Sequence, residues 1–350
     1  MSMLSNSPLT KYQTSFGIYG TTCEEVKHWV TYFQECALIP TAYLDAAHKE
    51  SEVFSSLTKA SGMFQLQVPG EGISPWTFHW VNGNHFPAQR QIVVHNGDKL
   101  ESLAKRKEQL TDVALVIAEE GIPEHLEEWG VVGTHTVCLH PNDKAGIAAW
   151  IGQVTAPPPL AALILTGGKS ERMGTDKALI QYHGQPQWQY LLEQCESMGL
   201  PTFLSVKDEA QMELRNFPTS KCIVDQWVNM GPIGGILSAA KQHPQHSWMV
   251  MACDMPHWGK ASMEYLLAHR NPKKMATAFW NNAKQWAEPL ATIWERDASP
   301  WLSMWLMQSQ CARKALGRLP IQEILPPEEN WLSNINLPQE REDWIKRQGE

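Results

Sequence analysis

Two hydrophobic patterns alternate along the first half of the chain: short apolar runs, and longer stretches with an apolar residue at every third or fourth position. The runs predict β-strands, and the longer spacing predicts amphipathic helices. We therefore expect strands at 15–20, 41–46, 91–98 and 112–121, and helices at 24–38, 100–110 and 143–154. The alternation of the two kinds of element predicts a doubly wound α/β domain.

In the second half, three apolar runs end at residues suited to ligand contact. One ends before a Gly-Gly pair, one precedes Asp225, and one ends at Asp254. Open α/β sheets bind ligands at the carboxyl ends of their parallel strands, so both aspartates are candidates for contact with a metal or a ribose. A turn or a helix N-cap would explain either aspartate as well.

The Gly-Gly pair lies in a stretch, residues 163–177, that reads LILTGGKSERMGTDK. Because glycine has no Cβ, Gly167 and Gly168 let a ligand approach the backbone, and consecutive amides in such a turn bind anions. Cations that could hold phosphates follow in the same stretch: Lys169, Arg172 and Lys177. Each part alone fits an ordinary turn or a solvated face, but together they predict a phosphate-binding loop for phosphoryl or nucleotidyl transfer.

This stretch resembles the signature L-x-G-G-x-S-x-R-M-G-x-D-K of the molybdenum cofactor guanylyltransferases. The matching residues are Leu165, Gly167, Gly168, Ser170, Arg172, Met173, Gly174, Asp176 and Lys177. Thr166 departs from the family, which usually has alanine there. The resemblance continues at Asp225, at Asp254, at Glu288-Pro289-Leu290 and at Asn334-Ile335-Asn336, so that it covers roughly 160–343.

The resemblance implies a set of site residues. It makes Lys177, Arg172 and Asp254 catalytic, and it makes Asp254 and Asp225 the ligands of Mg²⁺. It places these residues at the nucleotide and the pterin: Leu165, Thr166, Gly167, Gly168, Lys177, Asp225, Asp254, Asn334 and Asn336. At the position of a family asparagine near the nucleotide, Ser205 and Lys207 are the nearest candidates.

The implied reaction is transfer of GMP from GTP to molybdenum-loaded molybdopterin, which forms molybdopterin guanine dinucleotide and pyrophosphate with Mg²⁺ as cofactor. GTP and molybdopterin are then the substrates, and molybdoenzymes or other cofactor-synthesis proteins are further partners. Two alternatives stay open. One is a cytidylyl- or sugar-phosphate nucleotidyltransferase of the same fold, and the other is a non-enzymatic nucleotide-binding or molybdoenzyme accessory protein.

The stretch GIYGTTCEEV in the first half has the strand, glycine, threonine and helix order of a phosphate loop. It lacks the lysine of G-x-x-x-x-G-K-[ST], so we expect no nucleotide hydrolysis there. Together with residues 45–49, the stretch weakly resembles the small P-loop GTPase partner of the guanylyltransferases, of which it would be a degenerate copy. Asp45, His48 and Lys49 follow the second predicted strand, where a solvated loop is the favoured interpretation.

Charge and cysteine content limit the partners and the compartment. Residues 1–158 carry 10 Lys and Arg against 17 Asp and Glu, and residues 159–350 carry 19 against 20, which gives the chain its net charge of −8. This balance argues against nucleic acid or an anionic membrane as the main partner. The 7 cysteines form no C-x-x-C pair and no segment resembles a signal peptide, so we expect reduced thiols and a cytoplasmic protein.

The predicted architecture is α/β, with two doubly wound Rossmann-like domains. The proposed division is a flexible N-terminus at 1–15, an α/β domain at 16–155, a proline-rich linker at 156–159 and a MobA-like NTP transferase domain at 160–350. A run of three prolines stiffens a linker because proline lacks the backbone donor that helices and sheets require. The resemblance gives the second domain the nucleotide-diphospho-sugar transferase-like fold of the nucleotidyltransferases.

Overall fold

A computed structural model describes residues 15–39, 41–45, 58–60, 63–65, 78–166, 177–227, 229–335, 339, 340, 342 and 344. The chain divides into two compact units, residues 1–157 and 158–350, and each contains its own sheet. No helix in the described part of the chain combines the length and the apolar character needed to cross a membrane.

The first unit is built on a six-stranded sheet. Its strands are β1 (Ser15–Tyr19), β2 (Thr41–Leu44), β5 (Phe78–Asn82), β6 (Arg90–Val94), β7 (Val113–Ile117) and β8 (Val137–Leu139), while β3 (Thr58–Ala60) and β4 (Met63–Gln65) form a separate antiparallel pair. The helices are α1 (Cys23–Cys36), α2 (Leu100–Ala104), α3 (Glu124–Glu128) and α4 (Lys144–Val154). The strand order is β2-β5-β1-β6-β7-β8, and every pairing is parallel.

Both faces of this sheet are covered. Ile92 of β6 packs into a core shared with α1 and α4, whereas the neighbouring Val93 packs into a second core that contains Leu103 of α2 and Leu126 of α3. Successive residues of one strand thus point to opposite cores. The prediction of a doubly wound α/β arrangement is confirmed for this unit.

Several elements of this unit differ from the sequence-based expectation: β3, β4, β5, β8 and α3 were not expected, and one expected helix is shorter. The helix expected at 100–110 ends at Ala104, and a 3₁₀ turn covers Lys107–Gln109. Lys105 and Arg106 between them, followed by Lys107, place three cations in a row and offer no apolar face. Strand β5 gives no period-two signal, since all five of its residues are buried, polar His79 and Asn82 included.

The second unit contains a seven-stranded sheet. Its strands are β9 (Leu160–Leu165), β10 (Thr202–Val206), β11 (Cys222–Val224), β12 (Ser247–Ala252), β13 (Ala276–Asn281), β14 (Trp286–Trp294) and β15 (Ile321–Ile324). Its helices are α5 (Gln187–Ser197), α6 (Glu209–Leu214), α7 (Gly231–Gln242), α8 (Lys260–Ala268), α9 (Ala298–Leu306) and α10 (Ala312–Leu316). The order is β11-β10-β9-β12-β14-β13-β15; β9 to β12 are mutually parallel, and β14 is antiparallel to both of its neighbours.

Helices cover both faces of this sheet too. Along β12, Met249 faces a core that contains residues of α5 and α8, while Val250 faces a core that contains residues of α7 and α9. The doubly wound prediction is therefore confirmed for the second unit as well. The four parallel strands end at one edge of the sheet, and that edge carries the candidate site.

Candidate functional site

A cavity of about 720 Å³ opens at the carboxyl ends of the parallel strands β9, β10, β11 and β12. It brings together four of the predicted site residues: Leu165, Thr166, Asp225 and Asp254. Ser205 and Lys207, the two candidates for the asparagine position, also line it. The order of strands in the sheet thus gathers residues that lie up to 89 positions apart in the sequence.

Asp225 is held at the end of β11 by two hydrogen bonds. Its backbone N–H donates to the carbonyl oxygen of Val206 at 2.8 Å, and its Oδ1 accepts from Ser205 Oγ at 2.8 Å. Burial raises the pKa of the Asp225 carboxyl to about 6, and the Ser205 hydrogen bond opposes this shift. Ser205 therefore orients Asp225 and favours its ionised form. The ammonium of Lys207 lies 3.6 Å from the Asp208 carboxylate.

A buried arginine anchors the chain where it leaves β9. Arg215, 7% exposed, donates from Nη1 to the carbonyl oxygen of Thr166 at 2.7 Å. The Thr166 hydroxyl donates to the Ser205 carbonyl at 2.6 Å, which fixes the same residue from the side of β10. A guanidinium at this point favours an anion nearby, because little solvent screens it. Arg215 directly follows the short helix α6 and belongs to no motif, so the sequence gives no signal for its role.

Asp254 is connected to a polar network at the edge of the cavity. Asn334 donates from Nδ2 to Asp254 Oδ1 at 3.1 Å, and its Oδ1 accepts from Lys284 Nζ at 2.6 Å. The same ammonium donates to Glu288 Oε2 at 3.1 Å. Asn334, which is part of the resemblance, thus contacts Asp254 directly, and Glu288, also part of it, is connected to Asp254 through Lys284 and Asn334. No motif in the sequence indicates Lys284.

The N-terminus of α7 also lines the cavity. Gly231 has φ = +60°, a left-handed conformation that favours glycine, and Pro232 stands in the first turn, where its missing N–H costs nothing. The Gly-Pro-Ile-Gly-Gly sequence therefore begins a helix. First-turn amides of a 12-residue helix carry a partial positive charge suited to an anionic or carbonyl group.

Several predicted residues lie outside the described part of the chain: Gly167, Gly168, Arg172 and Asn336. Lys177 begins a 3₁₀ helix, Lys177–Leu179, but its side chain is not described. The roles of these residues stay predictions.

The carboxylates of this cavity suit a divalent cation that a nucleotide carries with it. Among the described residues, no three His, Cys, Asp or Glu side chains are grouped as a closed metal site would require. Mg²⁺ bound with a nucleotide takes only one or two carboxylates from the protein, and phosphate and water oxygens complete its shell. Asp225 and Asp254 line the same cavity and supply such oxygens, so the residues present fit Mg²⁺ carried on a triphosphate.

In the first unit, the phosphate-loop-like turn is occupied by the chain's own carboxylate. Glu25 Oε2 accepts from the Thr22 N–H at 3.1 Å and from the hydroxyl groups of Thr22 and Thr21. This carboxylate takes up donors at the start of α1 that a phosphate would otherwise use. The likeness of this unit to a P-loop GTPase stays a prediction.

The solvated-loop interpretation of Asp45 is wrong. Asp45 is only 6% exposed, and it accepts hydrogen bonds from Tyr43 Oη at 2.8 Å and from Asn82 Nδ2 at 3.0 Å. The reason is that buried β5 pairs with β2 and brings Asn82 beside it, and a buried carboxylate needs such partners. His48 and Lys49 lie outside the described residues.

Known proteins resemble this chain. Residues 162–323 match the family model described as the MobA-like NTP transferase domain. Molybdenum cofactor guanylyltransferase of Pseudomonas entomophila is 30% identical over 191 residues, which are 53% of this chain and 97% of that protein. A molybdenum cofactor biosynthesis bifunctional protein of Synechocystis is 33% identical over 205 residues, which are 57% of this chain but 56% of that protein's length.

A solved structure is also similar to this chain. Molybdopterin-guanine dinucleotide biosynthesis protein A from Archaeoglobus fulgidus superposes with a TM-score of 0.47 and 23% identity, over 54% of this chain and 98% of that chain.

The family match and the identity to curated relatives place the chain among the nucleotidyltransferases, so the prediction of an enzyme of this class is confirmed. More narrowly, the chain belongs to the family of the molybdenum cofactor guanylyltransferases, and the family-model match lies in its second unit. The sequence-based resemblance to that family is thereby confirmed.

Proposed function

We propose that this chain transfers GMP from GTP to molybdenum-loaded molybdopterin in the cytoplasm, with Mg²⁺ as cofactor. The observation that carries the proposal is the cavity that unites Leu165 and Thr166, which precede the predicted phosphate loop, with Asp225 and Asp254. A curated relative further supports the proposal. It is a molybdenum cofactor guanylyltransferase, and the match with this chain covers 97% of its length.

In the proposed reaction, a terminal phosphate of the pterin attacks the α-phosphorus of GTP and pyrophosphate leaves. Asp254 and Asp225 would hold the cation together with the triphosphate, and the bound cation would reduce the charge repulsion that opposes attack. Lys177 and Arg172 would stabilise the charge that develops on departing pyrophosphate. The attacking phosphate is already ionised, so the chain need supply no general base. What the chain must still do is align the two reacting phosphates. The hydrogen bonds from Ser205 to Asp225 and from Asn334 to Asp254 support this alignment.

Isothermal titration with GTP, CTP and ATP in Mg²⁺, beside the Lys177→Ala variant, tests the nucleotide. We expect GTP-selective binding that the substitution weakens. Preference for CTP would favour a cytidylyltransferase of the same fold, and binding that survives the substitution would remove Lys177 from the site.

The Lys177→Ala variant also tests the mechanism. We expect turnover to fall by roughly two to three decades, the loss typical of one preorganised charge contact in a transition state. The measurement is the single-turnover rate of dinucleotide formation at saturating GTP. A rate equal to that of the unsubstituted protein would contradict the assigned role, and absence of turnover with every triphosphate and pterin would favour a binding protein instead.

A further inference from the structure

We propose that Lys284 is a positioning residue of this site: it fixes the side-chain amide of Asn334 in the one orientation that donates to Asp254. The inference rests on the proposed function for its consequence in catalysis. Its structural part concerns only residues of the second unit, and none of the resemblance motifs contains Lys284.

The orientation of an asparagine amide is decided by its partners, because its oxygen and nitrogen ends have nearly the same shape. The Lys284 ammonium can only donate, so the group 2.6 Å from it must be the Asn334 oxygen. The amide nitrogen then faces Asp254 Oδ1 at 3.1 Å, where it donates. The opposite orientation would set two oxygens against each other at Asp254, and would turn an NH₂ group toward a cation.

Lys284 is itself held in place from both ends. Its backbone N–H donates to Asn281 Oδ1 at 3.0 Å inside the tight β13–β14 turn, and Gln285 there has φ = +59°. Its ammonium pairs at 3.1 Å with Glu288, whose side chain is 7% exposed. A buried carboxylate beside a half-buried ammonium forms a strong, charge-assisted hydrogen bond. Lys284 therefore reaches Asn334 from a rigid hairpin.

The backbone beside Asn334 fixes Asp254 a second time. The Ile335 N–H donates to the Asp254 carbonyl at 2.8 Å, and Ile335 packs against Ile180, Tyr182 and Trp344. The main chain of Asp254 is thus fixed by the segment near residue 335. Lys284 in addition fixes the orientation of the Asn334 amide, and the amide in turn holds the Asp254 carboxylate.

The first test is an NMR measurement that needs no ligand. In protein labelled with ¹⁵N-asparagine, we expect the side-chain NH₂ signal of Asn334 to shift or broaden in Lys284→Met and to stay close to its original position in Lys284→Arg, which keeps a donor-only cation. The matched control is Lys260→Met, since Lys260 also pairs with a glutamate four residues on, Glu264 at 3.8 Å, but on the exposed helix α8. An Asn334 signal that Lys284→Met leaves unchanged would overturn the proposal.

The second test is a calorimetric titration of GTP in Mn²⁺ without any pterin, so that binding is measured apart from turnover. We expect Lys284→Met to weaken binding about tenfold, the effect of one fixed hydrogen bond, while Lys284→Arg and Lys260→Met bind as the unsubstituted protein does. Equal affinity in Lys284→Met would overturn the link from Asn334 to the site. If the unsubstituted protein binds no nucleotide at all, the proposed function fails, and the NMR result alone decides the role of Lys284.

Discussion

Burial gives Asp225 a protonation behaviour unlike that of a surface carboxylate. Its pKa is raised from 3.8 to about 6, and loss of hydration is the main cause. The folded protein therefore holds this proton more tightly than the unfolded chain does. Below pH 3.8 both states are protonated and Asp225 costs no stability; the cost grows as pH rises and is complete above about pH 6.

This predicts that Asp225→Asn stabilises the metal-free protein at neutral pH. Two pKa units correspond to nearly 3 kcal/mol, which partial solvent exposure reduces to about 1–2 kcal/mol at pH 7.5. The asparagine oxygen can still accept from Ser205. Urea unfolding in a chelating buffer measures the gain, which should shrink as pH falls toward 4.

The control for this prediction is Glu264→Gln, which removes one exposed carboxylate from α8 and should change stability by no more than about 0.5 kcal/mol. A gain for Asp225→Asn that does not depend on pH would refute the pKa shift as its cause. We further expect the substitution to lower activity, because functional sites keep groups that cost stability.

At the residue scale, a site residue could be predicted from the sequence only where a local pattern marked it. Asp225 and Asp254 each follow an apolar run, so their place at strand ends was visible. Arg215 and Lys284 were not predictable, because the hydrogen bonds that give them a role join residues 49 and 50 positions apart. No local pattern encodes such a pairing.

At the scale of elements, the packing of α7 against the sheet limits which side chains the helix can carry. A Cβ on Gly235 would lie 2.6 Å from Ser205 Oγ and 2.9 Å from Leu165 Cδ2. Both distances are shorter than real Cβ contacts allow, so the Ser205 and Leu165 side chains, or the helix itself, would have to shift. The glycine thus lets α7 lie close to the residues that hold Asp225.

We therefore expect Gly235→Ala to destabilise the protein by about 1–3 kcal/mol and to weaken GTP binding, since the shift would displace Ser205 from Asp225. Gly152→Ala in α4 is the matched control, because its Cβ would meet only Leu38 Cδ1 at an ordinary 3.8 Å. There alanine should be neutral or stabilising by up to about 1 kcal/mol. Thermal unfolding and GTP titration of both variants make the comparison, and equal behaviour would contradict this account of α7.

Elements were predictable where one kind of pattern dominated. Helix α1 has its apolar residues at helical spacing and a Thr22–Glu25 capping box, and it was expected at 24–38 and found at Cys23–Cys36. Strand β5 was missed because His79 and Asn82 are polar and yet buried, so composition concealed a strand that pairs on both sides. Polar residues can be buried when partners elsewhere in the chain form hydrogen bonds with them, and a local sequence pattern does not show such partners.

At the scale of the whole molecule, each unit has its own sheet and its own cores. The division of the chain at a proline-rich linker and the boundaries of the domains stay predictions. The resemblance and the family match both lie in the second unit, so the proposed chemistry should need only that unit.

We expect a fragment of residues 158–350 to fold, and to bind GTP in Mg²⁺ within about threefold of the full chain. A fragment of residues 1–157 should bind none, because Glu25 occupies the donors at the start of α1. Circular dichroism establishes whether each fragment is folded, and calorimetry measures binding. Tight binding of GTP by a folded first fragment would place a nucleotide there instead.

The all-parallel sheet of the first unit has a consequence for how the protein is made. Its central strand β1 is synthesised early, but its two partners are β5 and β6, in which His79 pairs with Ser15 and Arg90 with Phe16. No hairpin within this six-stranded sheet can form first, since each parallel pairing closes a long loop. During translation β1 must therefore wait, unpaired and apolar, until more than sixty further residues have left the ribosome. Slow synthesis or a shortage of chaperones should thus harm this unit before it harms the catalytic one.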